Sequence, residues 1–127
     1  MVSIAVVLFL ALTTAVILFQ LASALGAPWG EFTMGGRFPG ALPPVMRIVA
    51  LAQIVVLFLF AVIVLVRAGM AFGGYYAIGR VGIWFVVGFF VLGSLLNLAT
   101  PSKKERLLWA PVNVLMLIAA ILIAVGR

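Results

Sequence analysis

Four long apolar runs divide the chain, from about Val2 to Leu25, Pro44 to Val66, Val81 to Thr100 and Leu107 to Val125. None carries a charged residue beyond its first turn. A spanning helix needs about 20 predominantly apolar residues, and each run meets or approaches that length. The pattern predicts an all-α fold: an integral-membrane four-helix bundle, up-down-up-down, forming a single transmembrane domain over residues 1–127. Ala22-Ser23-Ala24 also fits the small-residue pattern of a signal-peptide cleavage site. Without a basic stretch before it, and with an apolar run longer than the usual h-region, the first run is expected to remain as a span.

The connections differ in character. The first, residues 26–43, is rich in glycine and proline and long for a simple turn. Its Trp29, Phe32, Met34 and Phe38 predict that it folds back onto the bundle. Pro43 and Pro44 suit the first turn of helix two, where a missing N–H costs nothing. The second connection, Arg67 to Arg80, holds four glycines with Tyr75 and Tyr76 and reads as an interfacial loop. The third is short. Pro101 disfavours a helical Thr100, and Ser102-Lys103-Lys104-Glu105 matches a capping box, so helix four is expected from 103 to 125. So short a turn makes helices three and four adjacent and antiparallel.

Composition agrees with a lipid-facing chain. Apolar residues make up 68% and charged residues 8%, against roughly 45–50% and about 25% in soluble domains. The net charge of +6 does not mark a nucleic-acid binder, because the basic residues are not gathered into a patch. They stand at the borders of the apolar runs, where lipid headgroups begin. With four spans, Arg37, Arg47, Lys103, Lys104 and Arg106 share one side, side B, and Arg67, Arg80 and Arg127 share the other, side A. Five against three favours a cytoplasmic side B. Trp29 and Trp109 would mark the interface at side B, with Trp84, Tyr75 and Tyr76 at side A.

Each span carries one side-chain amide: Gln20, Gln53, Asn97 and Asn113. At 1.5 Å per residue all four sit roughly 5–10 Å inside the side B border. Helical spacing puts three of them on faces of small or polar residues: Thr13, Gln20 and Ala24; Gly93, Asn97 and Thr100; Arg106, Ala110, Asn113, Ala120 and Ala124. Membrane helices meet through such faces, so a polar layer beneath the long loop is expected. It is either structural glue between helices or the lining of a ligand pocket opening toward side B. Pro111 frees the carbonyl of Leu107, which could pair with Asn113 or with the loop.

The chain has two acids and no histidine or cysteine, so no metal site, no cofactor and no catalytic residues are expected. Glu105 belongs to the cap. Glu31 shares side B with the arginines, and a clamp of Glu31, Arg37, Arg47, Arg106 and Trp29 would hold the loop. A proton-coupled exporter of the small multidrug-resistance type, with a similar four-span size, depends on a glutamate inside its first span. Here that stretch offers only Thr13, Thr14 and Gln20, and the usual ion relay is missing.

The stretch Gly26-Ala27-Pro28-Trp29-Gly30, then Gly35-Gly36, Leu42-Pro43 and Arg47, resembles that of a group of small bacterial four-span inner-membrane proteins. Asn97, the basic turn ending in Arg106, and Pro111 extend the resemblance over nearly the whole chain. It implies a multi-pass protein of the bacterial cytoplasmic membrane and brings no activity with it. Members often begin with lysines, a start that favours a cytoplasmic side A, whereas this chain begins Met1-Val2-Ser3.

Two functions follow from these residues, neither of them enzymatic. The expected one is a partner-binding or assembly component, contacting membrane lipid and a membrane-protein partner or further copies of itself. The alternative is a binder or carrier of a lipid or other lipophilic molecule in the leaflet beneath the 26–43 loop, with Arg37, Arg47 or Arg106 attracting an anionic headgroup.

Overall fold

The computed structural model describes residues 2–28, 40–99 and 103–126, with the backbone alone at positions 2, 104 and 105. It contains four long helices: α1 (Val2–Ala24), α2 (Pro44–Arg67), α3 (Tyr76–Ala99) and α4 (Lys103–Val125). A short 3-10 turn at Gly73–Tyr75 leads into α3. All four are long and apolar enough to cross a membrane. In a bilayer core every backbone polar group must be satisfied within the protein, and a helix does this by itself.

The outward faces need lipid. Val7, Ile48, Phe58, Phe85, Leu95 and Leu107 are all more than half exposed, an arrangement that water would penalise and a hydrocarbon solvent would not. The helices form a ring in chain order, α1 against α2, α2 against α3, α3 against α4 and α4 back against α1. The packing of α3 on α4 is the most extensive of the four, as the short connection predicts.

Two helices end by the same device. After α1, Gly26 takes φ +106° while its N–H donates to Ser23 O and that of Ala27 donates to Ala22 O. After α2, Gly69 takes φ +75°, with Gly69 N–H donating to Val66 O and Met70 N–H to Leu65 O. Both are Schellman ends, in which a left-handed glycine lets the chain turn back over the last carbonyls. Pro43 precedes α2 in an extended conformation and Pro44 opens it, as the sequence suggests.

One boundary is corrected. The interfacial loop expected over 67–80 is shorter, because α3 begins at Tyr76 rather than near Val81. Of the four glycines that read as loop residues, Gly79 is an interface residue, while Gly69, Gly73 and Gly74 have nothing within 4 Å of a Cβ position. A Cβ on Gly79 would lie 2.7 Å from Val66 Cγ1 and 2.9 Å from the Arg67 backbone nitrogen, and one on Gly82 would lie 3.3 Å from Ile63 Cγ2. Here α2 and α3 touch nearly backbone to backbone, and close packing overrides the low helix propensity of glycine. Trp84 accordingly lies inside α3, half-exposed, rather than at its border.

The core runs from the middle of the bundle toward side A. Phe9, Ile83, Val86, Phe90, Met116 and Ile123 are almost fully buried. Phe9 meets Phe90 edge-on with ring centroids 5.6 Å apart, and Phe60 meets Phe89 at 4.9 Å. Above this aromatic floor the bundle is not filled.

Candidate functional site: an amide-lined cavity

The space above the floor is a cavity of about 310 Å³ in the side B half. Every helix contributes to it. Gln20, Gln53, Asn97 and Asn113 all line it, so the amide in each span does turn inward. Phe90, Leu57 and Met116 make the floor, with Val16, Val56 and Val112 among its walls. Among the described residues that line it, none is charged.

The four amides are not equivalent. Gln20 donates from Nε2 to Gln53 Oε1, joining α1 to α2. The two asparagines bond to their own helices instead. Asn97 Nδ2 donates to Gly93 O at 2.8 Å, and Asn113 Nδ2 donates to Trp109 O at 3.1 Å. The Leu107 carbonyl freed by Pro111 is therefore not the partner of Asn113, and α4 continues through the proline. Each asparagine amide has a second N–H and two carbonyl lone pairs besides the bond described.

Their depths differ slightly from the single layer expected. Asn113 Oδ1 stands opposite Gly93, one helical turn or about 5 Å deeper than Asn97. The side chains close the gap, because Asn97 reaches down to the Gly93 carbonyl while Asn113 reaches back toward Trp109. Both amides thus converge on the level of Gly93, and the absent side chain of that glycine leaves the room.

Trp109 is another correction. Expected at the lipid interface, it lines the cavity half-buried and packs edge-on against Phe19 at 4.7 Å. Its position one turn before Asn113 was the available sign, since residues four apart share a helix face.

Of the residues expected to clamp the loop, Arg47 and Arg106 have described side chains. Glu31, Arg37 and Trp29 lie outside the described residues, as does the side chain of Glu105 in the cap. Arg106 is half-buried. Arg47 does hold the ends of the long connection, by backbone contacts. Its Nε donates to Leu42 O at 2.7 Å, and its guanidinium lies against Gly26, where a Cβ would come within 3.3 Å of Nη2. Residues 26 and 42, at the two ends of that connection, meet on one arginine.

At the opposite border, Arg67 escaped the sequence reading, which placed it among the border charges. It is buried and donates to the carbonyls of Ala124 and Gly126 and to the Tyr76 hydroxyl. Tyr76 also lies beneath its guanidinium, 5.6 Å from the ring centroid. A cation over the last carbonyls of α4 is favoured by the helix dipole as well as by the bonds themselves. Its place at the end of a span was legible; its partner, far along the chain, was not.

The fold and cavity define a polytopic helical membrane protein with an uncharged, amide-lined internal site. Compared with known protein families, curated proteins and solved structures, the chain matches none.

Proposed function

We propose that the bundle binds a lipophilic molecule in the side B half of the membrane, with the polar end of that molecule among the four amides. The observation that carries this is the convergence of one amide from every helix on a single cavity. Glue alone would have them bonded across helices, and only Gln20 and Gln53 are so bonded. The asparagines are pinned by their own backbones, which fixes their direction and leaves hydrogen-bonding capacity facing the cavity. A site of mostly apolar walls with a few placed polar groups is the usual form of a small-molecule pocket.

The role is non-catalytic. The chain has no histidine or cysteine, and among the described residues the cavity lining offers no titratable group. A partner-binding or assembly role would draw on the exposed apolar faces, but lipid demands such faces of any spanning helix, so they favour no protein partner. The resemblance of the 26–47 stretch to small bacterial proteins supports the bacterial cytoplasmic membrane as its location.

The test is gentle extraction from the native membrane followed by mass spectrometry of whatever is retained. A single lipophilic species, lost in Asn113→Leu or Gln53→Leu, supports the binding role. Stoichiometric protein partners with no retained lipid overturn it in favour of assembly.

A further inference from the structure

The cavity is bounded by four seams between neighbouring helices, and at its level three of them are bridged. Gln20 bonds Gln53 across α1 and α2. Asn113 lies against Gly93 across α3 and α4. Phe19 stacks edge-on with Trp109 across α1 and α4. The α2–α3 seam is different. Among the described residues, the close contacts across it run from Gly79 against Val66, through Gly82 against Ile63, to the Phe60–Phe89 ring pair. All of these lie on the side A half or at the floor. Above that pair, Gln53 and Val56 of α2 face Gly93 and Asn97 of α3 across the cavity itself. Phe89 lines the cavity and is also 45% exposed on the outer surface, so one side chain borders both spaces.

The volume limits what fits. About 310 Å³ is at the small end of the roughly 300–1,000 Å³ of ligand sites, enough for a head and the first stretch of a chain. A longer molecule has to leave the bundle. The lining also limits charge. A phosphate or carboxylate placed there would meet no cation among the described residues that line it, and burying a bare ion is costly. Arg47, the described cation nearest the start of α2, is bonded to Leu42 O and does not line the cavity.

We infer that the ligand is an uncharged, single-headed lipid whose hydrogen-bonding head sits among Asn97, Asn113, Gln20 and Gln53 and whose hydrocarbon tail leaves through the α2–α3 seam over Phe89 into the bilayer. This deepens the proposed binding role and rests on it. Entry is lateral, from the membrane, and an anionic headgroup is excluded.

The test uses the full chain in phosphatidylcholine nanodiscs and two photoreactive probes, a monoacylglycerol with a diazirine in its chain and the phosphate ester of the same molecule. They share the glycerol and the acyl chain and differ by the phosphate group, which adds charge and bulk to the head. The uncharged probe is expected to label α2 and α3 around Val56 and Phe89 saturably, with competition by unlabelled monoacylglycerol. The phosphate ester is expected to give only non-saturable labelling of the outer faces. Val56→Trp, which fills the seam, should weaken competition by roughly tenfold or more while outer-face labelling at Phe58 and Phe85 is unchanged. Asn97→Leu is the second variant, removing a head contact without obstructing the seam, and both are accepted only if they elute as monodisperse, fully helical protein.

Saturable labelling by both probes overturns the uncharged head. Saturable labelling confined to α1 and α4 overturns the route. No saturable labelling by the monoacylglycerol overturns the inference as a whole. The binding role is judged apart from these, by whether protein from the native membrane retains a lipid that Asn113→Leu loses.

Discussion

Asn113 Oδ1 stands 3.5 Å from the point where a Cβ on Gly93 would be, which is ordinary van der Waals contact and no closer. Gly93→Ala should therefore fold normally and cost little, with roughly the helix-propensity gain of up to about 1 kcal/mol in its favour. Gly93→Leu should fold as well but place its side chain in the cavity. Thermal unfolding in detergent would show similar midpoints for Ala and the native chain, while Leu loses bound lipid. If Ala already abolished retention, the cavity would be smaller or elsewhere.

The Gln20–Gln53 bond joins helices next to each other in sequence, and its removal should be mild. Side-chain bonds between membrane helices contribute about 0.6 kcal/mol on average, and Gln20→Leu and Gln53→Leu should each cost about that. The pair should be coupled, so the double variant should cost less than the sum of the singles. Steric trapping or reversible unfolding in mixed micelles can measure this. Strict additivity would show that the bond is not made in the folded protein.

Much of the bundle was legible because lipid imposes simple rules. Length and hydropathy give Pro44 as the start of α2 and Val125 as the end of α4, and helical spacing turns Gln20, Asn97 and Asn113 inward. Gly79 shows where the reading failed. A glycine among other glycines and tyrosines looks like loop chemistry, and only the backbone of Arg67 pressing on it shows that a helix continues there. Arg67 shows the same limit, since its acceptors at Ala124 and Gly126 are brought near by the ring order of the helices. The cavity was legible as a polar layer that was either glue between helices or the lining of a pocket, and the residues did not decide between the two. No local pattern reports that Asn97 and Asn113 would bond to their own helices and leave space between them.

The Gly79 contact makes a sharper prediction than any other glycine. With a Cβ 2.9 Å from the Arg67 backbone nitrogen, Gly79→Ala must push α2 and α3 apart, and overpacking of this kind costs about 1–3 kcal/mol. Gly88, with nothing within 4 Å of its Cβ position, is the matched control on the same helix. Gly88→Ala should be neutral or slightly stabilising. Equal effects at the two sites would contradict the close crossing.

The grouping of helix ends predicts labelling from the two sides of the membrane. Arg47 against Gly26 puts the end of α1 beside the start of α2, and Arg67 on Ala124 puts the ends of α2 and α4 together at the opposite border. The chain has no cysteine, so single cysteines at Thr33, Ser102 and Tyr75 can be probed with an impermeant thiol reagent. Positions 33 and 102 should label together and position 75 from the other side. Opposite labelling of 33 and 102 would end the four-span topology.

Arg67 is the residue whose loss should be felt most at side A. Its guanidinium serves two carbonyls at the end of α4 and one hydroxyl on α3, so three of the four helices meet on one side chain. Arg67→Met keeps the bulk but leaves buried carbonyls without a donor, at about 1–3 kcal/mol. Arg67→Lys should recover only part of that, because a point-like ammonium cannot reproduce the planar fork that reaches two carbonyls at once. Tyr76→Phe removes a single hydroxyl acceptor and should cost least, at about 1 kcal/mol. Hydrogen exchange read at the last turn of α4 distinguishes this from general destabilisation. Protection there should fall in Arg67→Met well beyond the change at Phe90 in the floor of the cavity. A uniform fall along α4 would mean that Arg67 merely fills space, and that the end of α4 is held by something else.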